Sequence, residues 1–381
     1  MVSLMSFLML TGEAAKAAKE KKAPSVSSRV IKPPPEKPTT PAAEYLKHLQ
    51  EIRLDRTNLL LYQEKNGTVA GGKTLSDWKK RRAQIYTAIQ EVMGPLPGDE
   101  KRCPLDVKVE EEVDCGSYVR RFLTYSSEPN SRVPAYLLIP KIALQKKTMV
   151  PAALVLHPTE MTLGHKVVVG LGGKEHRDYG RELAERGYLV LAPAYPLMAN
   201  YQPDLKKLGY QSGTMKAIWD NMRGIDLIET FPFVRYGRLV AIGHSLGGHN
   251  AIYTAVFDER IRVVVSSCGF DSFLDYKNGD ITGWTQERYM PRLRDYPLEK
   301  IPFDFHELLG ALVPRAIFVN APKGDSNFKW QSVDRIWETI QPIYKLHGAE
   351  KRLHLEHPDC DHDFPDAQRQ AAYKFLDENL K

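Results

Sequence analysis

Apolar and polar positions follow two different patterns along this chain. Between residues 44 and 140 the apolar positions are periodic. Trp78, Ile85, Ile89 and Val92 fall on one face of a helix that Ser76 would cap and Gly94-Pro95 would stop. Three alternating runs, 105–113, 118–125 and 133–140, predict successive antiparallel strands with one covered face. After Pro151 the alternation gives way to short continuous apolar runs separated by longer helical stretches. Runs of that kind suit parallel strands buried on both faces. They occupy 152–156, 188–193, 239–243, 263–267, 316–320 and 353–356. The expected fold is α/β: a mostly parallel central sheet with antiparallel leading strands and helices on both faces. No repeat at a solenoid or propeller period interrupts this order.

The chain before these elements has a different character. Residues 1–43 are rich in Lys, Ala and Pro, including Pro33, Pro34, Pro35, Pro38 and Pro41, and are too polar and proline-broken to bury a core. Order is expected from Glu44, with a helical extension over 44–104 packed on a catalytic domain over 105–381. The apolar run from Val2 to Leu10, followed by Ala15-Lys16-Ala17, resembles a weak signal-peptide region without a basic leading segment. Export to the periplasm or medium and a cytoplasmic location stay equally open.

Composition narrows the function classes. The 381 residues are 43% hydrophobic and 26% charged, enough apolar surface for a large buried sheet. The net charge of +6 is mostly local, because residues 1–50 hold eight Lys or Arg against four Asp or Glu. That leaves +2 for the rest, with no basic stripe, so nucleic acid is not an expected partner. Cys103, Cys115, Cys268 and Cys360 lie far apart with no CxxC pair, so neither a disulfide framework nor a zinc ribbon is indicated. No apolar run reaches the roughly 18 residues of a spanning helix. The oligomeric state is not legible.

The chemistry concentrates where apolar runs end, since ligands of such sheets bind beyond the carboxyl ends of the strands. The run 239–243 leads directly into Gly243-His244-Ser245-Leu246-Gly247-Gly248, a GxSxG turn between a strand and a helix. A serine there sits on a strained turn, tolerated only if the residues two before and two after it are small. The turn lifts the hydroxyl above the sheet, and the Leu246 N–H faces the oxygen that becomes negative in acyl transfer. The acid should follow a later strand and the histidine the last one. Asp325 stands in the loop after 316–320, with Asp271 as its rival one strand earlier, and His362 stands in the loop after 353–356. A neutral His362 can take the Ser245 proton while Asp325 holds its other ring nitrogen.

The second oxyanion donor is expected after 152–156, where Pro158 has no N–H. Thr159 is the first choice and Glu160 the second. His157, Glu160, His244, Trp284 and Arg288 are candidate pocket residues, with stretches 161–177, 198–212 and 271–304 as its walls. His354, His357, Asp359, Cys360, Asp361, His362 and Asp363 also suit zinc by residue type. Neighbours on a strand point to opposite faces, so no metal is expected.

From about residue 105 onward the chain resembles the α/β-hydrolase superfamily, in its dienelactone-hydrolase-like and acetyl-xylan-esterase-like branch. The residues that carry the resemblance are His157-Pro158, Ala192-Pro193, Gly243 to Gly248, Ala321-Pro322 with Asp325, and His362. It implies a Ser-His-Asp triad, no cofactor, and hydrolysis of small acyl esters or of acetyl or feruloyl esters on plant polysaccharides. Dienelactone hydrolases proper carry cysteine at the elbow, many relatives carry Asp where this chain has Ala194, and glucuronoyl esterases typically place Arg where Leu246 stands. The alternatives are a serine peptidase of prolyl-oligopeptidase type and a non-catalytic binding protein of the same fold.

Overall fold

The computed structural model describes residues 53–146 and 148–380. The tail expected over 1–43, its apolar start and the onset of order at Glu44 lie outside the described residues. A short antiparallel hairpin comes first, β1 (Leu61–Gln63) and β2 (Val69–Gly71), each too short for alternation to register in the sequence. Helix α1 (Leu75–Met93) follows, and its cap is Thr74 rather than Ser76. The Thr74 hydroxyl accepts the Asp77 N–H while the Asp77 carboxylate accepts the Thr74 N–H, a reciprocal box that Ser76 cannot form from inside the first turn. Trp78, Ile85, Ile89 and Val92 are buried, and Gly94 ends the helix at φ +88°.

Nine strands make the main sheet: β3 (Lys108–Asp114), β4 (Tyr118–Glu128), β5 (Ser131–Pro140), β6 (Val150–Leu156), β7 (Leu189–Pro193), β8 (Val234–His244), β9 (Ile261–Ser267), β10 (Ala316–Asn320) and β11 (Leu353–Glu356). Their spatial order is β11-β10-β9-β8-β6-β7-β5-β4-β3. The first three pair antiparallel, and β6 to β11 run parallel. The expected covered face is missing from β3, which starts at Lys108 and exposes Lys108, Glu110, Glu111 and Glu112. It is the sheet edge, and its charges together with a register slip between Val109 and Glu111 discourage pairing with another strand. β8 begins five residues before its apolar run, because backbone pairing with β6 continues to Val234 where the side chains are already exposed.

Continuous apolar strands are buried on both faces, and their side chains divide by alternation. Leu154, Leu156, Ala241 and Val264 enter one core with α4 (Gly213–Glu229) and α5 (Leu246–Phe257). Ala153, Val155, Val240 and Val265 enter the other, with α3 (Tyr179–Glu185) and α8 (Asp366–Asn379). The short helices α2 (Lys141–Lys146) and α6 (Phe305–Ala311), with the longer α7 (Trp330–Leu346), complete the fold. Chain order reverses at β6, which lies between β7 and β8, so a crevice opens at the carboxyl ends of β6 and β8. No helix among the described residues is long and apolar enough to cross a membrane.

The first described segment and α1 are tied to α6 by buried charge. Glu307 accepts from Arg53 at 2.6 Å and Arg81 at 3.1 Å, and Arg56 meets Asp304 at 2.6 Å. Burial alone would raise the Glu307 carboxyl, yet the two guanidiniums hold it below its ordinary range. Removing one partner of such a group leaves uncompensated charge inside the protein. Glu307→Gln is therefore expected to cost about 3 kcal/mol, read as a lower urea midpoint at unchanged slope.

Candidate active site

Ser245 lies between β8 and α5 at φ +55° and ψ −122°, a conformation that side chains rarely adopt. Its surroundings hold it there. The Ser245 N–H donates to Ser267 O at 2.8 Å, and Ser245 O accepts the His249 N–H at 3.0 Å. Beneath the turn, the buried Tyr179 hydroxyl donates to Leu156 O at 2.6 Å and accepts the His244 N–H at 3.2 Å. A Cβ on Gly243 would lie 2.2 Å from the Gly247 carbonyl carbon, and one on Gly247 would lie 2.0 Å from Leu156 O. The close passage of β6, β8 and α5 thus demands both glycines.

Asp325 and His362 meet from the loops after β10 and β11. His362 Nδ1 is 2.8 and 2.9 Å from the two Asp325 carboxylate oxygens, and Asp325 Oδ1 also accepts the Asn327 and Phe328 N–H groups at 2.7 and 3.1 Å. The Asp325 side chain is 1% exposed and that of His362 26%. With Nδ1–H donated to a buried carboxylate, Nε2 is the nitrogen left to accept a proton. The neighbouring Asp363 anchors this loop through Arg177 at 2.5 Å and His176 at 2.6 Å, while its main-chain oxygen accepts from Asn320 Nδ2 at 2.9 Å. Burial would raise the Asp363 carboxyl, but Arg177 and His176 hold it below the usual range. Asp271 lies elsewhere, accepting the Lys329 N–H at 3.0 Å. Burial pushes its carboxyl up to about 8.

A cavity of about 190 Å³ opens beside Ser245, lined among others by Thr159, Leu246, Trp284, Arg288, Tyr289 and Phe328. Ser245, Leu246, Thr159, Trp284 and Arg288 are thus brought together, whereas His157, Glu160 and His244 do not line it. His157 is buried, bonded to Pro158 O at 2.7 Å and accepting the Tyr195 N–H at 3.0 Å, which shapes the turn. Burial lowers its imidazole to about 4. Glu160 caps its own loop by accepting from the Thr162 and Leu163 N–H groups at 2.9 and 3.3 Å. His244 is buried against Ser267 Oγ at 3.0 Å, with its ring 4.9 Å from that of His362.

Of the three stretches expected as walls, 271–304 lines the cavity and the other two do not. Val167, Val168 and Val169 instead fill the core under α3, and Met198, Tyr201 and Leu205 are likewise buried. Their apolar side chains gain more from burial than from facing an open pocket. Sequence reasoning missed Asn327 and Phe328; the signal was their closeness to Asp325.

The run 354–363, which suits zinc by residue type, does not converge among the described residues. His354 bonds Glu356 at 2.9 Å and His357 bonds Asp334 at 2.8 Å. Among the described residues, ligand atoms of Cys268, Asp325 and His362 lie within 4.8 Å of one another and could offer S, O and N to a soft divalent cation. The Cys268 thiol is pushed well above its usual value, by burial first and the Asp325 carboxylate second, so a cation would have to displace the thiol proton.

A serine elbow at the end of the central strand of such a sheet defines the α/β-hydrolase fold. Solved structures agree: a glucuronoyl esterase from Solibacter usitatus superposes with a TM-score of 0.68 at 18% identity, over 85% of this chain and 98% of the other. A carbohydrate esterase family 15 glucuronoyl esterase from Caldicellulosiruptor kristjansonii gives 0.60 at 18% identity, over 85% and 90%. The fold is thus shared with glucuronoyl esterases although Leu246 follows the elbow serine here. By sequence the chain is similar to YtaP of Bacillus subtilis (strain 168), named as a hydrolase, at 23% identity over 78% of this chain and 98% of that protein. No family model matches.

Asp271 gives this region a pH signature. Its folded-state pKa lies above the ordinary carboxylate value, so the folded protein keeps a proton that the unfolded chain releases between about pH 4 and about pH 8. Stability therefore falls as pH rises through that window. Melting curves at pH 5 and pH 9 are expected to show Asp271→Asn gaining on the wild type at the higher pH.

Proposed function

We propose that the protein is a serine carboxylic-ester hydrolase that works through an acyl-enzyme on Ser245. The supporting observation is the imidazole of His362, held at 2.8 Å by the buried Asp325 carboxylate, on the same sheet edge as a strained elbow serine. His362 Nε2 takes the Ser245 proton as Oγ attacks the ester carbonyl. The N–H groups of Leu246 and Thr159 receive the oxyanion, helped by the positive end of α5. Asp325 stabilises the imidazolium, which then protonates the departing alcohol. A water deprotonated by His362 releases the acid and restores the serine. In this reading residues 105–381 carry the chemistry and 44–104 form an extension. The acetyl-xylan-esterase-like resemblance directs the substrate search to small acyl esters, including acetyl and feruloyl esters of plant polysaccharides.

Short-chain members of a p-nitrophenyl series from acetate to octanoate should be hydrolysed. Ser245→Ala should abolish turnover, and Asp325→Asn should lower kcat by roughly four orders of magnitude, since the amide favours the wrong tautomer. A fluorophosphonate should label Ser245 in the wild type, and a folded protein that does not label would overturn the reading. Arg177→Gln loosens the His362 loop without touching the cavity. Steady-state kinetics should show kcat reduced about tenfold with KM little changed.

A further inference from the structure

The cavity beside Ser245 carries one charge, on Arg288, among its eleven described lining residues. That guanidinium has no ion pair among the described residues, and its Nε is buried without a hydrogen-bond partner. The indole N–H of Trp284, on the same wall, is also buried and unpartnered. Buried donors forfeit hydration unless a partner replaces it, and the same state recurs at Trp78 Nε1 and at Nε of Arg81, Arg120 and Arg223; Arg288 and Trp284 differ in lining the cavity beside Ser245. The arrangement is nevertheless rigidly built. Arg288 O accepts from the Tyr195 hydroxyl at 2.8 Å, and the flanking Glu287 and Tyr289 carbonyls accept the Gly213 and Thr214 N–H groups that open α4, at 2.9 and 3.2 Å. The guanidinium carbon stands 5.2 Å over the Tyr289 ring. Asp325 is engaged by His362 and Asp271 accepts the Lys329 N–H, and neither lines the cavity.

The lining also says which half of an ester belongs there. The departing alcohol must take its proton from His362, and His362 is not part of the cavity wall, whereas Ser245 and Leu246 are. An alcohol leaving toward His362 would leave this cavity to the acyl group. At about 190 Å³ it lies below the usual range for drug-sized ligands and suits a small acyl group.

We infer that the substrate is a half-ester of a small dicarboxylic acid, its free carboxylate paired with Arg288 and within reach of the Trp284 N–H. Guanidinium and carboxylate match as a bidentate, charge-assisted pair, and the intervening carbons would lie among Trp284, Tyr289 and Phe328, which line the same cavity. Water adds across the ester through Ser245, giving the dicarboxylate, the free alcohol and one proton. This inference rests on the esterase reading and adds the acyl class to it.

The test compares monomethyl succinate with methyl succinamate, a neutral ester of nearly the same shape, by pH-stat. The wild type should favour the half-ester by about tenfold or more in kcat/KM. Arg288→Gln should lower kcat/KM for the half-ester about tenfold more than for the amide ester, and Arg288→Lys should recover part of that difference. Equal losses on both esters, or a wild type that prefers the amide ester, would overturn the assignment. Calorimetry of free succinate on folded Ser245→Ala, with and without Arg288→Gln, reads the same pairing without turnover. Binding weakened about tenfold by the second substitution supports it, and no binding to Ser245→Ala overturns it. Fluorophosphonate labelling reports separately on the esterase reading, so the two failures are distinguishable.

Discussion

Ser245 occupies a left-handed backbone position that a serine adopts only under compulsion, and much of the neighbouring architecture exists to compel it. β6 and β8 run side by side so closely that Gly247 passes over Leu156 O, where a single Cβ would collide at 2.0 Å. Tyr179 from α3 braces the turn from below by bonding both strands at once. The main chain of β9 holds the serine from the side through Ser267 O.

The histidine side of the site is built differently. His362 stands on an irregular loop with no strand or helix of its own, so its position is set by the residues around it. Asp325 fixes the ring, and Asp363 fixes the backbone next to it through Arg177, His176 and Asn320. Asn320 in turn donates to Ser267 Oγ at 2.8 Å, which links the histidine loop to the strand that holds the serine. One polar network therefore registers two loops that lie far apart in sequence.

The substrate side follows a third logic. Residues 271–304 contain only short 3-10 turns, and Tyr276, Trp284 and Tyr289 form an aromatic wall packed on His249 and Phe328. Packing area, rather than regular backbone pairing, holds this segment over the elbow. It can present a charged side chain such as Arg288 to a small cavity because the flanking carbonyls are tied to the start of α4.

The sequence by itself determined the sheet, the elbow and the residue types of the site. Continuous apolar runs can be buried only on both faces, and a GxSxG turn between strand and helix has few other uses. It determined the course of α1 but not its cap, because Thr74 and Ser76 are both good caps and only the reciprocal bond with Asp77 separates them. What tertiary structure alone decided was proximity. Asp325 and Asp271 are both acids after parallel strands, and only the fold shows which one His362 meets. His157, Glu160 and His244 have the chemistry of pocket residues, yet each is turned into a local hydrogen bond away from the cavity. Stretches 161–177 and 198–212 were legible as irregular segments, but whether they face a pocket or fill a core depends on long-range packing. Such contacts leave no periodic trace in the chain, since they join residues whose separation in sequence is unrelated to their separation in space.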